Sequence, residues 1–319
     1  MKKALVCGIS GQDGAYLTKL LLEKGYKVIG TSRDTQSTSF ENLKIINVFD
    51  KISLENMSLL DFKSVLHVIS KVSPDEIYNL AGQTSVAFSF EQPIETFESI
   101  MNGTLNILEA IRITNNKIKF YNAGSSESFG NTEDCIITEE NKFHPVSPYG
   151  VAKAASFWQV DNYRNAYSLF SVTGILFNHE SRLRHKKFVT KKIISAACKI
   201  KNGSDEKLTL GDLSIKRDWG WAPEYVEAMW RMLQLDTPQD FIIATGHSNT
   251  LENFVSATFE NLNLDWRDHV VIDHKLFRPS DLRAGKAAPV KAEKLLEWKA
   301  KVHLDELISI LIKEELENA

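Results

Sequence analysis

Two short stretches hold the residue types needed to work on a hydroxyl group: Ser125-Ser126-Glu127, and Tyr149-Gly150-Val151-Ala152-Lys153. Tyr149 and Lys153 stand four apart, a spacing that puts both side chains on one face of a helix. The lysine cation is expected to lower the phenol pKa, so that a tyrosinate can take a proton from a substrate hydroxyl during hydride transfer. Ser125 is suited to hold that hydroxyl, and Glu127 supplies a second base in the same loop. A plain alcohol dehydrogenase has no use for the second base. An enzyme that forms a carbonyl and then breaks a neighbouring C–H bond does.

The elements that would position a hydride carrier lie at the start of the chain. Ala4-Leu5-Val6-Cys7 reads as a short buried strand, Gly8-Ile9-Ser10-Gly11-Gln12-Asp13-Gly14 follows, and a helical pattern runs through Leu17 and Leu21 to Gly25. Strand, Gly-x-x-Gly-x-x-Gly, helix is the context of a dinucleotide-binding turn, with the helix N-terminus toward the pyrophosphate. Gly8, Ser10, Gly11, Gln12, Asp13 and Gly14 are therefore the candidate cofactor residues. The next strand, Tyr26–Gly30, ends in Thr31-Ser32-Arg33-Asp34. An arginine there accommodates a 2′-phosphate, so Arg33 argues for NADP, while Asp34 opposes it by charge.

Strands and longer helical patterns alternate through the first 180 or so residues, the mark of a parallel sheet with crossover helices. Strands are expected at Glu76–Leu80, Ile118–Asn122 and Val172–Phe177, and helices over residues 60–72, from about Phe97 to Arg112, and from about Pro148 to Ala166. This order puts the glycine loop, Leu80, Ala81 and Gln83, Ser85, Ser125–Glu127, and Asn178-His179 at carboxyl ends of strands, the edge where open α/β sheets bind ligands. Beyond residue 180, helices are expected near 188–201, 223–234 and 250–263 and from about Leu304. The fold expected is α/β: a Rossmann-type doubly wound parallel sheet over residues 1–178, and a smaller C-terminal α/β substrate domain over 179–319, with segments returning to the sheet. Arg217 and Arg278 are the arginines best suited to grip a diphosphate bidentately.

The 319 residues, 43% of them hydrophobic, suffice for a large core, and a net charge of −3 gives no reason to expect a nucleic-acid partner. No apolar run reaches membrane-spanning length, and Met1-Lys2-Lys3 leads straight into a strand, with no signal-peptide segment. Cys7, Cys135 and Cys198 are scattered and odd in number, which suits a cytoplasmic location, and no Cys/His spacing suggests a metal.

With these residues in view, the chain resembles the extended short-chain dehydrogenase/reductase superfamily and, within it, the GDP-mannose 4,6-dehydratases. The narrow parts of the resemblance are Asn79-Leu80-Ala81-Gly82-Gln83, Asn178-His179-Glu180-Ser181, Phe188-Val189-Thr190-Lys191-Lys192 and Lys216-Arg217-Asp218-Trp219-Gly220. The resemblance implies catalytic roles for Ser125, Glu127, Tyr149 and Lys153, and contacts to NADP from His179 and Arg184. It also adds weight to Arg278 within Arg278-Pro279-Ser280-Asp281, and implies a homo-oligomer, dimer or tetramer. Ser85, Ser126, Asn178 and Lys192 join Arg217 and Arg278 as candidates for a GDP-hexose substrate. The chain departs from the family at Asp34, Ser58, Glu95 and Arg182-Leu183-Arg184-His185. The implied reaction is loss of water from a GDP-hexose, with internal hydride transfer from C4 to C6. A 4-epimerase or 4-keto reductase is the nearest competing reading, and a non-catalytic NADP-binding regulator the next.

Overall fold

The computed structural model describes residues 1–132, 135–277, 282 and 286–317. Seven strands, numbered in chain order, make the main sheet: β1 (Lys3–Cys7), β2 (Lys27–Ser32), β3 (Ser53–Asn56), β4 (Glu76–Asn79), β5 (Lys119–Ala123), β6 (Ser171–Leu176) and β7 (Phe241–Ile243). All neighbours are parallel, in the spatial order β3-β2-β1-β4-β5-β6-β7. The chain reverses its direction of travel across the sheet between β1 and β4, which opens a crevice beyond their carboxyl ends.

The longer helices are α1 (Gln12–Glu23), α2 (Phe62–Val72), α3 (Gly103–Thr114), α4 (Pro148–Tyr167), α5 (Val189–Lys201), α6 (Ala222–Met232), α7 (Leu251–Asn261) and α8 (Leu304–Leu316). Burial on both faces explains why the central strands read as unbroken apolar runs, as in Ala4-Leu5-Val6-Cys7. On one face α1 and α6 bury Leu17, Leu21 and Met229 against the sheet. On the other, α2 and α3 bury Val65, Ile69, Ile107 and Ile111, joined by Val160 and Tyr163 of α4. In α2 the buried residues Val65, Val68, Ile69 and Val72 recur at helical spacing, and Asp61 caps the helix by accepting from the Lys63 amide at 3.0 Å.

Several elements differ from the sequence expectation. The edge strand β3 was not expected, because Ser53-Leu54-Glu55-Asn56 is half-exposed and carries no apolar run. The helix expected from Phe97 begins at Gly103, after a short helix Pro93–Phe97 and a π-helical turn Glu98–Asn102. The hydroxyls of Thr96 and Ser99 both turn to the Gln83 loop, so the widened turn follows a tertiary contact rather than local propensity.

Asn178–Glu180, Lys216–Trp221 and Ser248–Thr250 form a separate three-stranded sheet. α5, α7 and α8 close a second apolar cluster over it, with Ile193, Trp219, Phe254, Phe259 and Leu307 at its centre. Between these pieces the chain returns to the main sheet: α6 packs on α1 and β7 pairs with β6. Asp240 secures that return. Its carboxylate accepts from the Thr173 amide at 2.6 Å and from Arg164 at 2.5 Å.

Candidate active site

A cleft of about 410 Å³ opens where the carboxyl ends of β1, β4, β5 and β6 face the second sheet. It brings together Ser125, Ser126, Glu127, Tyr149 and Lys153 with Asp13, Leu80 and Ser85. Asn178, His179, Arg184, Lys192 and Arg217 line it from the other side. Arg278 lies outside the described residues.

Tyr149 is placed by the start of α4. Ser147 caps the helix, accepting from the Gly150 amide at 3.0 Å, and Pro148 fills the first turn, where an N–H would have no helical partner. A Cβ at Gly150 would lie 2.7 Å from the Glu127 carbonyl oxygen, so only glycine lets the helix meet the Ser-Ser-Glu loop so closely. That loop is a single 3-10 turn, Ser126–Ser128, capped by the Ser125 hydroxyl, which accepts from the Glu127 amide at 3.2 Å.

The phenol of Tyr149 is buried, and burial pushes its pKa up to about 12. A hydrogen bond with Ser125 works against that rise, and the Glu127 carboxylate adds to it. The net direction is therefore opposite to the lowering that the spacing with Lys153 suggested. Lys153 Nζ donates to the Ala123 carbonyl at 2.7 Å and lies 5.7 Å from the Tyr149 ring centre, and burial draws the ammonium down to about 8, with Asp13 opposing. The two side chains do share one helix face at the cleft floor; burial decides the charge balance there.

The glycine loop has the geometry of a pyrophosphate cradle. Gly8 adopts φ +80°, and a Cβ there would sit 2.8 Å from the Ala81 amide nitrogen, so the β1 and β4 loops touch through backbone. A Cβ at Gly14 would meet the Gly8 carbonyl oxygen at 2.5 Å, which lets α1 start directly over the turn. α1 begins after Gly11 with no side-chain cap, and Ser10 and Gly11 are exposed, so its first amides remain presentable to an anion. These residues fit a dinucleotide.

Other cofactor candidates are committed elsewhere. Gln12 turns inward, donating to Asp13 at 3.0 Å and to the His179 carbonyl at 3.1 Å, and accepting from Ser181 at 2.8 Å. Gln83 ties its own loop to Thr96 at 3.1 Å and to the Ser85 carbonyl at 2.8 Å, while Ser85 caps the next helix. The Asp13 carboxylate lies 2.9 Å from His179 Nε2. Arg184 is ion-paired with Glu180, Nε to Oε2 at 3.1 Å, and lies 3.7 Å from the Phe188 ring centre.

Arg33 is exposed at the end of β2. Asp34 Oδ1 is held in its own turn, accepting from the amides of Gln36 and Ser37 at 2.8 and 3.1 Å. On the substrate side, Arg217 is buried and donates to the carbonyls of Lys216 and Leu282, at 2.8 and 3.0 Å. Lys192 donates to the Thr209 carbonyl at 2.7 Å. Lys187, Thr190, Thr209 and Asp212 also line the cleft and were not anticipated. Thr190 lay inside the Phe188–Lys192 run, the one signal that pointed its way.

Comparisons with known proteins agree with this geometry. The sequence profile of the family described as GDP-mannose 4,6 dehydratase matches residues 5–311. GDP-mannose 4,6 dehydratase 1 of Arabidopsis thaliana is 44% identical over 330 residues, covering 100% of this chain and 91% of the plant protein. Among solved structures, a dTDP-glucose 4,6-dehydratase of Bacillus anthracis in complex with NAD superposes with TM-score 0.86 at 20% identity, covering 100% of this chain and 97% of its own. The RMD protein of Pseudomonas aeruginosa, complexed with NADPH, gives TM-score 0.81 at 19% identity, covering 100% of both chains. The structural likenesses establish the Rossmann-type fold, and the profile and the plant relative establish the kinship: the chain belongs to the GDP-mannose 4,6-dehydratase family.

Proposed function

We propose that this protein removes water from a GDP-hexose, GDP-mannose or a close relative, to give the 4-keto-6-deoxy sugar. The observation that carries the reading is the meeting of Glu127 with Ser125 and Tyr149 in one cleft. A bound nicotinamide dinucleotide supplies the hydride acceptor for C4 and the hydride donor for C6, so no external oxidant is consumed. The chain's own groups handle the protons. Tyr149 takes the proton of the C4 hydroxyl, and Ser125, bonded to the phenol, steadies the C4 oxygen. Lys153 holds positive charge at the cleft floor. The 4-keto group acidifies C5–H, Glu127 removes that proton and passes it to the C6 hydroxyl as it departs as water; when hydride reaches C6, C5 takes up a proton, which balances the one Tyr149 gained from the C4 hydroxyl. A 4-epimerase or 4-keto reductase needs no proton removed from C5, which is why Glu127 separates those readings from this one. Arg217 is the cleft residue we assign to the diphosphate, and Lys192 a further substrate contact. Incubation with a panel of nucleotide sugars, followed by mass detection of a product lighter by one water, tests the assignment; an unchanged or isomeric product from every GDP-hexose refutes it.

NADP is the preferred cofactor in this reading. What supports it is the exposed Arg33 beside an Asp34 that is held in its own turn. Arg33→Ala is expected to weaken NADP binding roughly tenfold, with NAD nearly unaffected, through loss of a charge-assisted contact to the 2′-phosphate. Isothermal titration with both cofactors checks it, and equal affinities in the unmutated protein count against it.

A homo-oligomer is the expected state. α4 presents Trp158, 58% exposed, and Val151, 40% exposed, and Ile94 beside the π-helical turn is 74% exposed. Val160 of the same helix is fully buried and faces the chain's own core. Light scattering at micromolar concentration should return at least twice the 36.1 kDa chain mass; a monomer refutes the interface.

A further inference from the structure

Asp13 and His179 stand 166 residues apart in sequence, yet their side chains meet at 2.9 Å beneath the cleft. The other ring nitrogen of His179 lies 2.8 Å from the Phe177 carbonyl oxygen. Both nitrogens thus face acceptors, and the ring satisfies both only with two protons. Tyr225 stacks on the imidazole at 4.5 Å, and Gln12 braces the pair from below through Asp13 Oδ1 and the His179 carbonyl. The charged and titratable groups around His179 are Asp13 on α1, Arg184 in the loop beyond Glu180, and Tyr225 on α6. Burial alone would discharge the ring, but Asp13 and the Phe177 carbonyl together hold the His179 pKa up; in return His179, with Gln12 and Arg184, holds the Asp13 carboxyl down against its own burial.

The pair has no part in the proton transfers proposed above. The Asp13 carboxylate nevertheless reaches α4, where it favours the protonated forms of both Tyr149 and Lys153. We propose that His179 is a positioning residue whose charge cancels that of Asp13, so that the carboxylate anchors the glycine loop without blocking the loss of the Tyr149 proton. The role of Tyr149 as base is taken from the reading in the previous subsection; the charge relation between the pair and Lys153 does not depend on it.

Two readouts on the NADP-loaded enzyme test this: the Lys153 titration midpoint, followed by carbon-13 NMR of lysine Cε and assigned with Lys153→Arg, and the pH profile of kcat/KM. His179→Gln leaves Asp13 uncancelled, so the Lys153 midpoint should rise by about one unit, and kcat/KM at pH 7 should fall roughly tenfold as the acid limb moves to higher pH. Asp13→Asn should move both the opposite way, and the double variant Asp13→Asn/His179→Gln should restore the limb position whatever the height of the profile. Asp13→Asn, close in shape to the original, carries the test by itself should His179→Gln not fold. Midpoints that stay put, or that move the same way in both single variants as a loosened loop would make them, overturn the inference. Midpoints that move oppositely while the acid limb stays fixed uphold the charge relation and defeat instead the reading of Tyr149 as base.

Discussion

Glu127→Gln is expected to lower water loss by about a thousandfold or more, the scale of a positioned general base, while NADP affinity stays within about twofold. The amide keeps the shape of the side chain and cannot accept the C5 proton. The Ser125 contact to residue 127 runs through the backbone amide, so the 3-10 turn should survive the change. In the proposed mechanism oxidation at C4 uses Tyr149, and removal of the Glu127 charge relieves one of the influences holding that phenol protonated. The variant should therefore still show a burst of reduced nicotinamide when substrate is added, and then stall. Mass analysis of the product and the near-ultraviolet absorbance of the reduced ring report the two halves separately. Normal dehydration by this variant removes Glu127 from the mechanism.

Tyr149→Phe should block the earlier step. The ring stays in its buried place against Ala152 and Ile100, so packing is kept, while the proton acceptor and the Ser125 hydrogen bond are lost. The expected fall in turnover is again about a thousandfold, but with no burst of reduced cofactor, even in a single turnover. Contrasting bursts in the two variants assign the order of events. A normal burst from Tyr149→Phe means that another group takes the C4 proton.

The legible parts of this chain were those that local rules govern. Tyr149 and Lys153 are four apart on a helix announced by Ser147-Pro148, and the glycine loop sits between a strand and a helix that its flanking residues declare. Pairings across the sequence were not legible. Nothing near Gln12 says that its amide bridges Asp13 and the His179 carbonyl, and Gln83 looks like a ligand residue until Thr96 and Ser99 are seen to hold its loop. The charge of Tyr149 was misjudged for a related reason: the spacing gave the distance to Lys153, whereas burial, set by the whole fold, decides the phenol's pKa. β3 and β7 were missed because a half-exposed edge strand and a three-residue strand carry too little pattern to be read.

The late return of the chain to its first sheet bears on how the protein must be made. β6 pairs with β5 on one side, and its other side stays open until residues 241–243 arrive. A nascent chain emerging from the ribosome therefore holds a six-stranded sheet with a bare edge strand, every residue of which is buried in the finished fold, while some sixty further residues are translated, and that edge is a template for pairing with a neighbouring nascent chain. The Asp240 carboxylate, which takes up the Thr173 amide as β7 docks, is the latch that ends this exposure. Slow translation before residue 240, or a chain cut near residue 178 to isolate the nucleotide-binding half, would lengthen it, and aggregation rather than a smaller working enzyme is the outcome that topology favours.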